Sequence, residues 1–570
     1  MMRIDGKSEG ARQSMSWLHT WISLLLGWLL YAIFLTGTLS FFQNEITVWM
    51  KPELHQSLSN VSQQQQLNHT LKYLHATGES AESWNIRFAN ARQPALSVQA
   101  RKPGEGRRRG GETYLNTQTG EKLEARETRG GGFLYRFHFE LYGMDRIWAR
   151  WIVSFATMFM FVAIISGIIT HKKIFKDFFT FRPAKGQRSW LDAHNATAVF
   201  ALPFHIMITF SGLLLLMYML MPWAMNTAYK DRQDFFAALN PERAAAQATP
   251  TQTSQQNPQA QGERGQRSER QSRERGQRSN VTEIQQLKAA TMVDILPLLS
   301  HVQQQWKDNP IASITINKPN TIEAQIEFRA THAESLIRSN STPSLKFNAV
   351  TGELIASDAQ HPIIVPSAIY TVVTWLHMAR GVDSVLRWLL FLSGVLGTMM
   401  IATGLVLWVV KRTPDVQKLG YKPFGHRVVE VLNVAAIVGL PIACAAYFTA
   451  NRFIPAHIAE RSPIEIKVFF MVWLLSFIHS AIRPHRHAWL EQLALAAAMF
   501  FILPILNFAT GGRALWSSIY HGQWMVASFD LICLILGAIF LYGYYKLKRH
   551  QGLPVKAKKV YQTTSTQEQN

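Results

Sequence analysis

The chain has 570 residues, of which 48% are hydrophobic and only 17% charged, and its mean hydropathy is near zero; very apolar blocks alternate with very polar ones, as in a polytopic membrane protein. The formal charge of +21 lies beside apolar blocks or in an Arg-rich linker with no nucleic-acid module, so membrane orientation explains it and no nucleic acid is expected as a partner. Two cysteines, Cys444 and Cys533, both inside apolar stretches, exclude a disulfide framework and a thiolate cluster, leaving any metal to His or to a cofactor.

Residues 1–16 are a short polar N-terminus. The first apolar block, 17–44, is too long for a signal-peptide core and lacks a small-residue cleavage site, so it reads as a retained membrane helix. Residues 45–146 form a soluble segment, with a helical run near 61–75, strands near 84–88 and 95–100, an Arg/Gly loop at 107–111 and a strand entering a Gly turn at 114–121. A second span, 147–171, is followed by the loop 172–190, whose Lys172, Lys173, Lys176, Arg182, Lys185 and Arg188 mark the cytoplasmic side. The third span, 191–222, leads into a larger soluble segment, 223–384. Its Gln/Ser/Arg/Gly/Pro-rich middle, 244–280, cannot supply a core and reads as a disordered insertion. A helix near 292–306, strands near 311–316 and 322–328, and the piece 346–353 lie beyond it. The fourth span is 385–410. Four further spans lie within 411–548, near 428–448, 466–482, 490–510 and 524–547, before a tail, 549–570. Lys411-Arg412, Arg483 with Arg486, and the basic residues of 546–559 fall on the cytoplasmic side, giving both termini inside.

Three patterns occur twice. His19 precedes Thr36-Gly37 by the same seventeen and eighteen positions at which His194 precedes Ser211-Gly212. Arg150-Trp151 stands to Gly167 as Arg387-Trp388 stands to Gly404. Asn116-x-x-Thr119-Gly120-Glu121 matches Asn348-x-x-Thr351-Gly352-Glu353. A unit of helix, soluble domain and helix is therefore repeated in one orientation, about an axis along the membrane normal. The expected fold is an all-α polytopic membrane protein of about eight transmembrane helices with two small α+β extracytoplasmic domains.

The first-span run Leu18-His19-Thr20-Trp21 with the later Leu35-Thr36-Gly37, the Ile-Ser-Gly of the second span, the loop His-Lys-Lys-Ile-Phe-Lys-Asp-Phe-Phe-Thr-Phe-Arg-Pro at 171–183 and Trp190-Leu-Asp-Ala-His194 carry a family likeness. Over about residues 15–412 the chain resembles the PepSY-associated transmembrane helix family of bacterial inner membranes, and the duplicated Asn-x-x-Thr-Gly-Glu strands resemble PepSY domains. The resemblance implies an iron-uptake-linked membrane protein, with haem-containing reductases that release iron from ferric siderophores among its relatives.

Imidazole is an axial ligand for haem, and a helix bundle holds a porphyrin where two His project inward; an intramembrane His is otherwise expensive. Pseudosymmetry pairs His19 with His194 at the cytoplasmic end as ligands of one haem b. It pairs His138 with His377 as the candidate ligands of a second haem b near the outer side. A continuous helix would leave His138 roughly 20 Å outside Trp151 unless Gly143 and Gly381 bend these segments back. His205, eleven residues after His194 and so on the same face of a continuous helix, is the alternative; its repeat counterpart is Leu30. His171, whose counterpart is Trp408, is a substitute for His19. His426 and His479 have no repeat support, and His485 and His487 read as solvated. Trp17, Trp21, Trp28, Trp148, Trp151, Trp388 and Trp408 read as an interfacial belt. No dinucleotide or phosphate-loop motif is present, so the electron donor lies outside this chain. The expected function is transfer of electrons from an unidentified donor across the lipid bilayer of the bacterial inner membrane to a periplasmic ferric chelate or siderophore. The rivals are a non-catalytic membrane protein that binds an envelope peptidase or other partner and, last, a transporter, since no broken-helix pair stands out.

Overall fold

In a computed structural model of the chain, the described residues are 10–103, 112–171, 182–220, 288–338, 342–357, 365–379 and 381–550, less positions 59, 79 and 184, with a few isolated positions between 223 and 234. The Arg/Gly loop 107–111, the insertion 244–280, most of the basic loop and nearly all of the tail lie outside them. Seven helices are long and apolar enough to cross a membrane, or eight if a bent pair counts as one span.

The first repeat runs from α1 (Ala11–Ser40) and α2 (Gln43–Trp49) into a soluble unit of α3 (Gln63–Thr77), β1 (Ser83–Arg87), β2 (Leu96–Arg101), β3 (Thr113–Leu115) and β4 (Lys122–Leu123). It returns through α4 (Gly131–Glu140) to the span α5 (Arg146–Thr170). The second repeat opens with α6 (Gln187–Phe200) and α7 (Leu202–Leu220), continues through α8 (Ile295–Trp306), β5 (Ile311–Asn317), β6 (Gln325–Ala330), β7 (Ser344–Asn348) and β8 (Leu354–Ser357), and returns through α9 (Val365–Met378) to α10 (Ser384–Leu419).

The two expected domains share one sheet. Its order is β4-β3-β2-β1-β5-β6-β7-β8, antiparallel throughout, and the equivalent strands β1 and β5 meet in register, with Ile86 opposite Ile314 and Trp84 opposite Ile316. These strands each bury one face against α3 and α8, where Leu67, Leu74, Leu299 and Val302 join the sheet residues in a single core, so neither half has to leave its β1 or β5 edge open. The repeated Asn-x-x-Thr-Gly-Glu is a turn. Asn116 Oδ1 accepts from Gln118 N–H at 2.9 Å and Asn348 Oδ1 from Val350 N–H at 2.8 Å, while Gly120 and Gly352 adopt φ of 75° and 78°, the combination an Asx turn with a left-handed residue requires.

In the membrane, α1 packs on α5 and α10, α10 on α6, and α5 on α7, making a four-span bundle. The third span is not continuous: Gln187–Phe200 and Leu202–Met217 meet at 67°. The sequence showed no broken-helix pair, and this single break was not read from it. The counterpart α1 is unbroken, so the symmetric pair of discontinuous helices that marks many transporters is missing among the described residues. α10 also runs nine residues past the expected end at 410, carrying Lys411 and Arg412 on helix.

The C-terminal spans are α11 (Phe424–Val434), a π turn Ala435–Gly439 and α12 (Leu440–Phe453), which together make one crossing, then α13 (Arg461–Ile482), α14 (His485–Ala509), the short α15 (Leu515–Tyr520) and α16 (Trp524–Arg549). They dock on the first bundle through the π turn, whose wider winding frees carbonyls from the helix ladder. Tyr31 Oη donates to Ile437 O and Trp473 Nε1 to Ala435 O, each at 3.0 Å. Beside them Trp28 Nε1 donates to Asn433 Oδ1 at 2.9 Å, and Asn433 Nδ2 to Leu405 O at 3.0 Å. Trp28, expected in the interfacial belt, is thus an internal docking residue.

Candidate cofactor sites between the repeated helices

Two cavities lie along the four-span bundle. The one at the sheet-bearing end measures about 730 Å³ and the one at the far end about 260 Å³; Leu30 and Met160 line both. Each holds a pair of histidines drawn from the two repeats, and the far-end cavity is lined by His171 and His205 as well. His19 and His194 line the far-end cavity with ring centres 6.3 Å apart, and His138 and His377 line the sheet-end cavity with centres 6.1 Å apart.

His138 and His377 reach this depth because α4 and α9 are separate helices folded back against the bundle. The chain reverses after α4 at Leu141 and Gly143, with φ of 53° and 81°, and after α9 at Ala379 and Gly381, with φ of 49° and 69°. The turn at each glycine removes the 20 Å difficulty of a continuous helix.

Every one of the four imidazoles faces a glycine of its own repeat. A Cβ at Gly37 would stand 2.7 Å from the His138 ring, at Gly404 3.1 Å from His194, at Gly167 3.3 Å from His19 and at Gly212 3.3 Å from His377. The ring therefore lies against bare backbone and reaches the carbonyl one turn earlier. His19 Nδ1 donates to Ala163 O, His138 Nδ1 to Ile33 O and His194 Nδ1 to Met400 O, all at 2.8 Å. His377 Nδ1 donates to the Ser211 hydroxyl at 2.7 Å, which donates to Ile208 O at 3.1 Å. The hydroxyl that precedes each glycine bonds the same carbonyl: Thr36 to Ile33, Ser166 to Ala163 and Thr403 to Met400.

A carbonyl only accepts, so Nδ1 carries the proton and Nε2 keeps a free lone pair. That is the tautomer, and the backing hydrogen bond, of a metal-ligating histidine. Two imidazoles on opposite faces of one metal, with nitrogen–metal bonds of about 2.0–2.1 Å, place their ring centres about 6.4 Å apart. Both pairs match. No cluster of three or more His, Cys, Asp and Glu suited to a metal occurs among the described residues, so each pair suits an ion whose other ligands come from a macrocycle. Basic side chains edge both cavities, Lys411 and Arg412 at the far end and Arg92 and Arg150 at the sheet end. Arg92 is held by Glu45 at 2.7 Å and Arg150 by Glu140.

The remaining candidates separate from these pairs. The break at Ala201 puts His194 on α6 and His205 on α7, so they do not share a helix face; His205 is fully buried beside Phe34 and Phe204. His171 lines the far-end cavity but its Nε2 accepts from Asn195 Nδ2 at 2.9 Å. His426 lies 3.5 Å from Glu430 and His479 2.8 Å from Glu491, outside both cavities. His485 is no loop residue: it opens α14, and its Nε2 accepts from Trp489. The glycine backing of the four histidines was not foreseen, although the hydroxyl-Gly spacing was its trace.

A family model described as PepSY-associated TM region matches residues 16–411, more than two thirds of the chain, and no curated protein matches it. The match begins at the first span and ends on α10, where the second repeat closes. The chain belongs to the PepSY-associated transmembrane family.

Proposed function

We propose that the protein is a haem-binding oxidoreductase of the bacterial inner membrane that carries electrons across the bilayer and reduces a periplasmic ferric chelate, a ferric siderophore. The observation that carries this reading is the pair of opposed imidazoles in each cavity, each with Nδ1 tied to backbone or hydroxyl and Nε2 free. A structural role would explain one such histidine, but not four in two symmetric pairs at the separation of axial ligands. Haem b, when bound, supplies reversible one-electron chemistry at each site.

The chain's own residues hold and orient these groups. His19 with His194, and His138 with His377, would hold the haem irons, and the glycines fix ring orientation. Lys411 and Arg412 at one end, and Arg92 and Arg150 at the other, suit the carboxylates of a porphyrin. Leu30 and Met160, apolar and lining both cavities, stand between the two sites. Orientation follows the positive charge. Lys411, Arg412, Arg483, Arg486 and the basic last turn of α16 gather at the far end, which supports that end as cytoplasmic and the sheet as periplasmic. Each ferric ion takes one electron from a cytoplasmic reductant, and Fe(II) is released because it binds hard oxygen donors more weakly.

Purified protein in liposomes, with dithionite enclosed and a ferric siderophore outside, tests the reading at the level of function. Ferrous iron trapped by an external chromogenic chelator should appear with the wild type and not with His19→Ala or His138→Ala. Wild-type protein that is itself reduced but leaves the external chelate ferric contradicts the reductase assignment.

A further inference from the structure

Neither histidine pair uses His205, although it lines the far-end cavity. It is fully buried, and neither ring nitrogen has a hydrogen-bond partner. The carbonyls of Ala198 and Ser393 lie close enough to interact with the ring, but neither completes a full hydrogen bond to it. An unpaired imidazole in hydrocarbon is destabilising, so the position calls for an explanation.

Comparison of the repeats shows that the site is built for it. Leu30 stands eleven residues after His19 as His205 stands eleven after His194. Seven residues before the ring-backing glycine, α5 carries Met160 where α10 carries Gly397. A Cβ at Gly397 would stand 3.1 Å from His205 Nε2 and 2.6 Å from Phe34. One repeat fills the space between the sites with Leu30 and Met160, while the other clears it with a glycine and seats an imidazole there. His205 lines the far-end cavity, and Phe34, whose ring centre is 6.4 Å away and edge-on, lines the sheet-end cavity. The imidazole thus stands in the wall between the two sites. It is no axial ligand, because the rings beside it belong to Phe34 and Phe204 and no histidine opposes it among the described residues.

We propose that His205 is a positioning residue for electron passage between the two sites: its polar ring, held by no full hydrogen bond in the wall between them, stabilises added negative charge at the far-end site and so sets the potential difference between them. The inference rests on the haem reading above. In the step it governs, one site is oxidised as the other is reduced, with no bond made and no proton displaced, so a dipole buried between the two sites acts directly on the equilibrium.

Spectroelectrochemistry of the full chain in nanodiscs, compared among wild type, His205→Leu and His205→Gln, tests this. His205→Leu installs the side chain of the first repeat and should keep both haems and an unchanged low-spin spectrum. It should also shift the equilibrium between the two sites by about tenfold, which is about 59 mV in the difference of one-electron potentials. His205→Gln, which retains a donor, should shift it less. Loss of a haem or a high-spin spectrum in His205→Leu overturns the proposal in favour of axial ligation, and potentials equal to wild type in both variants overturn it in favour of packing. A colourless wild-type protein overturns the haem reading and this inference together.

Discussion

A histidine pressed on a glycine is the unit from which both sites are made, and it gives the sharpest tests at the level of single residues. The tightest contact is the 2.7 Å that a Cβ at Gly37 would make with His138, too short for the ring to stay where it is. Gly37→Ala should therefore lose one of the two haems, halving the haem-to-protein ratio, whereas Gly167→Ala, at 3.3 Å from His19, should retain both with a perturbed spectrum. Equal haem content in both variants would show that the glycines do not position the rings. The pairing of His19 with His194 was legible in the sequence because the repeat places them at equivalent positions. The backing was not, since each carbonyl acceptor lies far along the chain; His138 and Ile33 are 105 residues apart. His205 was misplaced for a different reason. Its phase with His194 was counted along a continuous helix, and the 67° break cancels that phase.

At the scale of elements, short helices fold back against the bundle through bends at Gly143 and Gly381, which the sequence offered as one of two ways to place the outer histidines. α4, of ten residues, lay within a stretch read as soluble domain, and only its glycine and Leu141 turns bring His138 into the bundle. Docking of the C-terminal spans depends on another local irregularity, the π turn, whose carbonyl of Ile437 is taken by Tyr31. Tyr31→Phe leaves that carbonyl unpaired in an apolar setting and should destabilise the protein by about 1–3 kcal/mol, read as a lower thermal midpoint with haem content unchanged; an unaltered midpoint would remove the π turn from the docking argument. A second joint lies outside the membrane, in the turn Pro52–Gln56 between α2 and α3. There His55 Nε2 donates to Val48 O at 3.0 Å and Nδ1 accepts from Arg513 N–H at 3.2 Å. Burial, with Arg452, Arg513 and Arg126 beside it, pushes its imidazole down from 6.5 to about 3. The unfolded chain binds a proton there first as pH falls, so stability is full above about 6.5 and declines below it, by up to about 1.4 kcal/mol per pH unit. The thermal midpoint should fall on acidification from about pH 7 to pH 5, and His55→Gln should flatten that slope; an equal slope in the variant would assign the acid sensitivity to other groups.

For the whole molecule, the repeat was legible as a unit of span, soluble segment and span, but not the joining of its halves. Nothing in the spacing of the strands says that β1 and β5 will pair, because an edge shared between two segments is settled by their common core, here the face under α3 and α8. The shared sheet fixes one end of the repeats while the C-terminal spans brace the bundle from the side. Trp49 of α2, fully buried, donates to Asp530 of α16 at 2.8 Å and lies under Arg452 of α12 at 4.1 Å. The last four spans therefore tie α2 and the first span in place, beside the histidine pairs and not among them. The central claim is that two histidine pairs hold two haems. It is tested most directly by haem quantification on the purified full chain with each histidine replaced singly. The account predicts about two haem b per chain in wild type, with sharp low-spin bands on reduction, and about one in each of His19→Ala, His194→Ala, His138→Ala and His377→Ala. A colourless wild-type protein from haem-replete cells, or full haem content in all four variants, would contradict it.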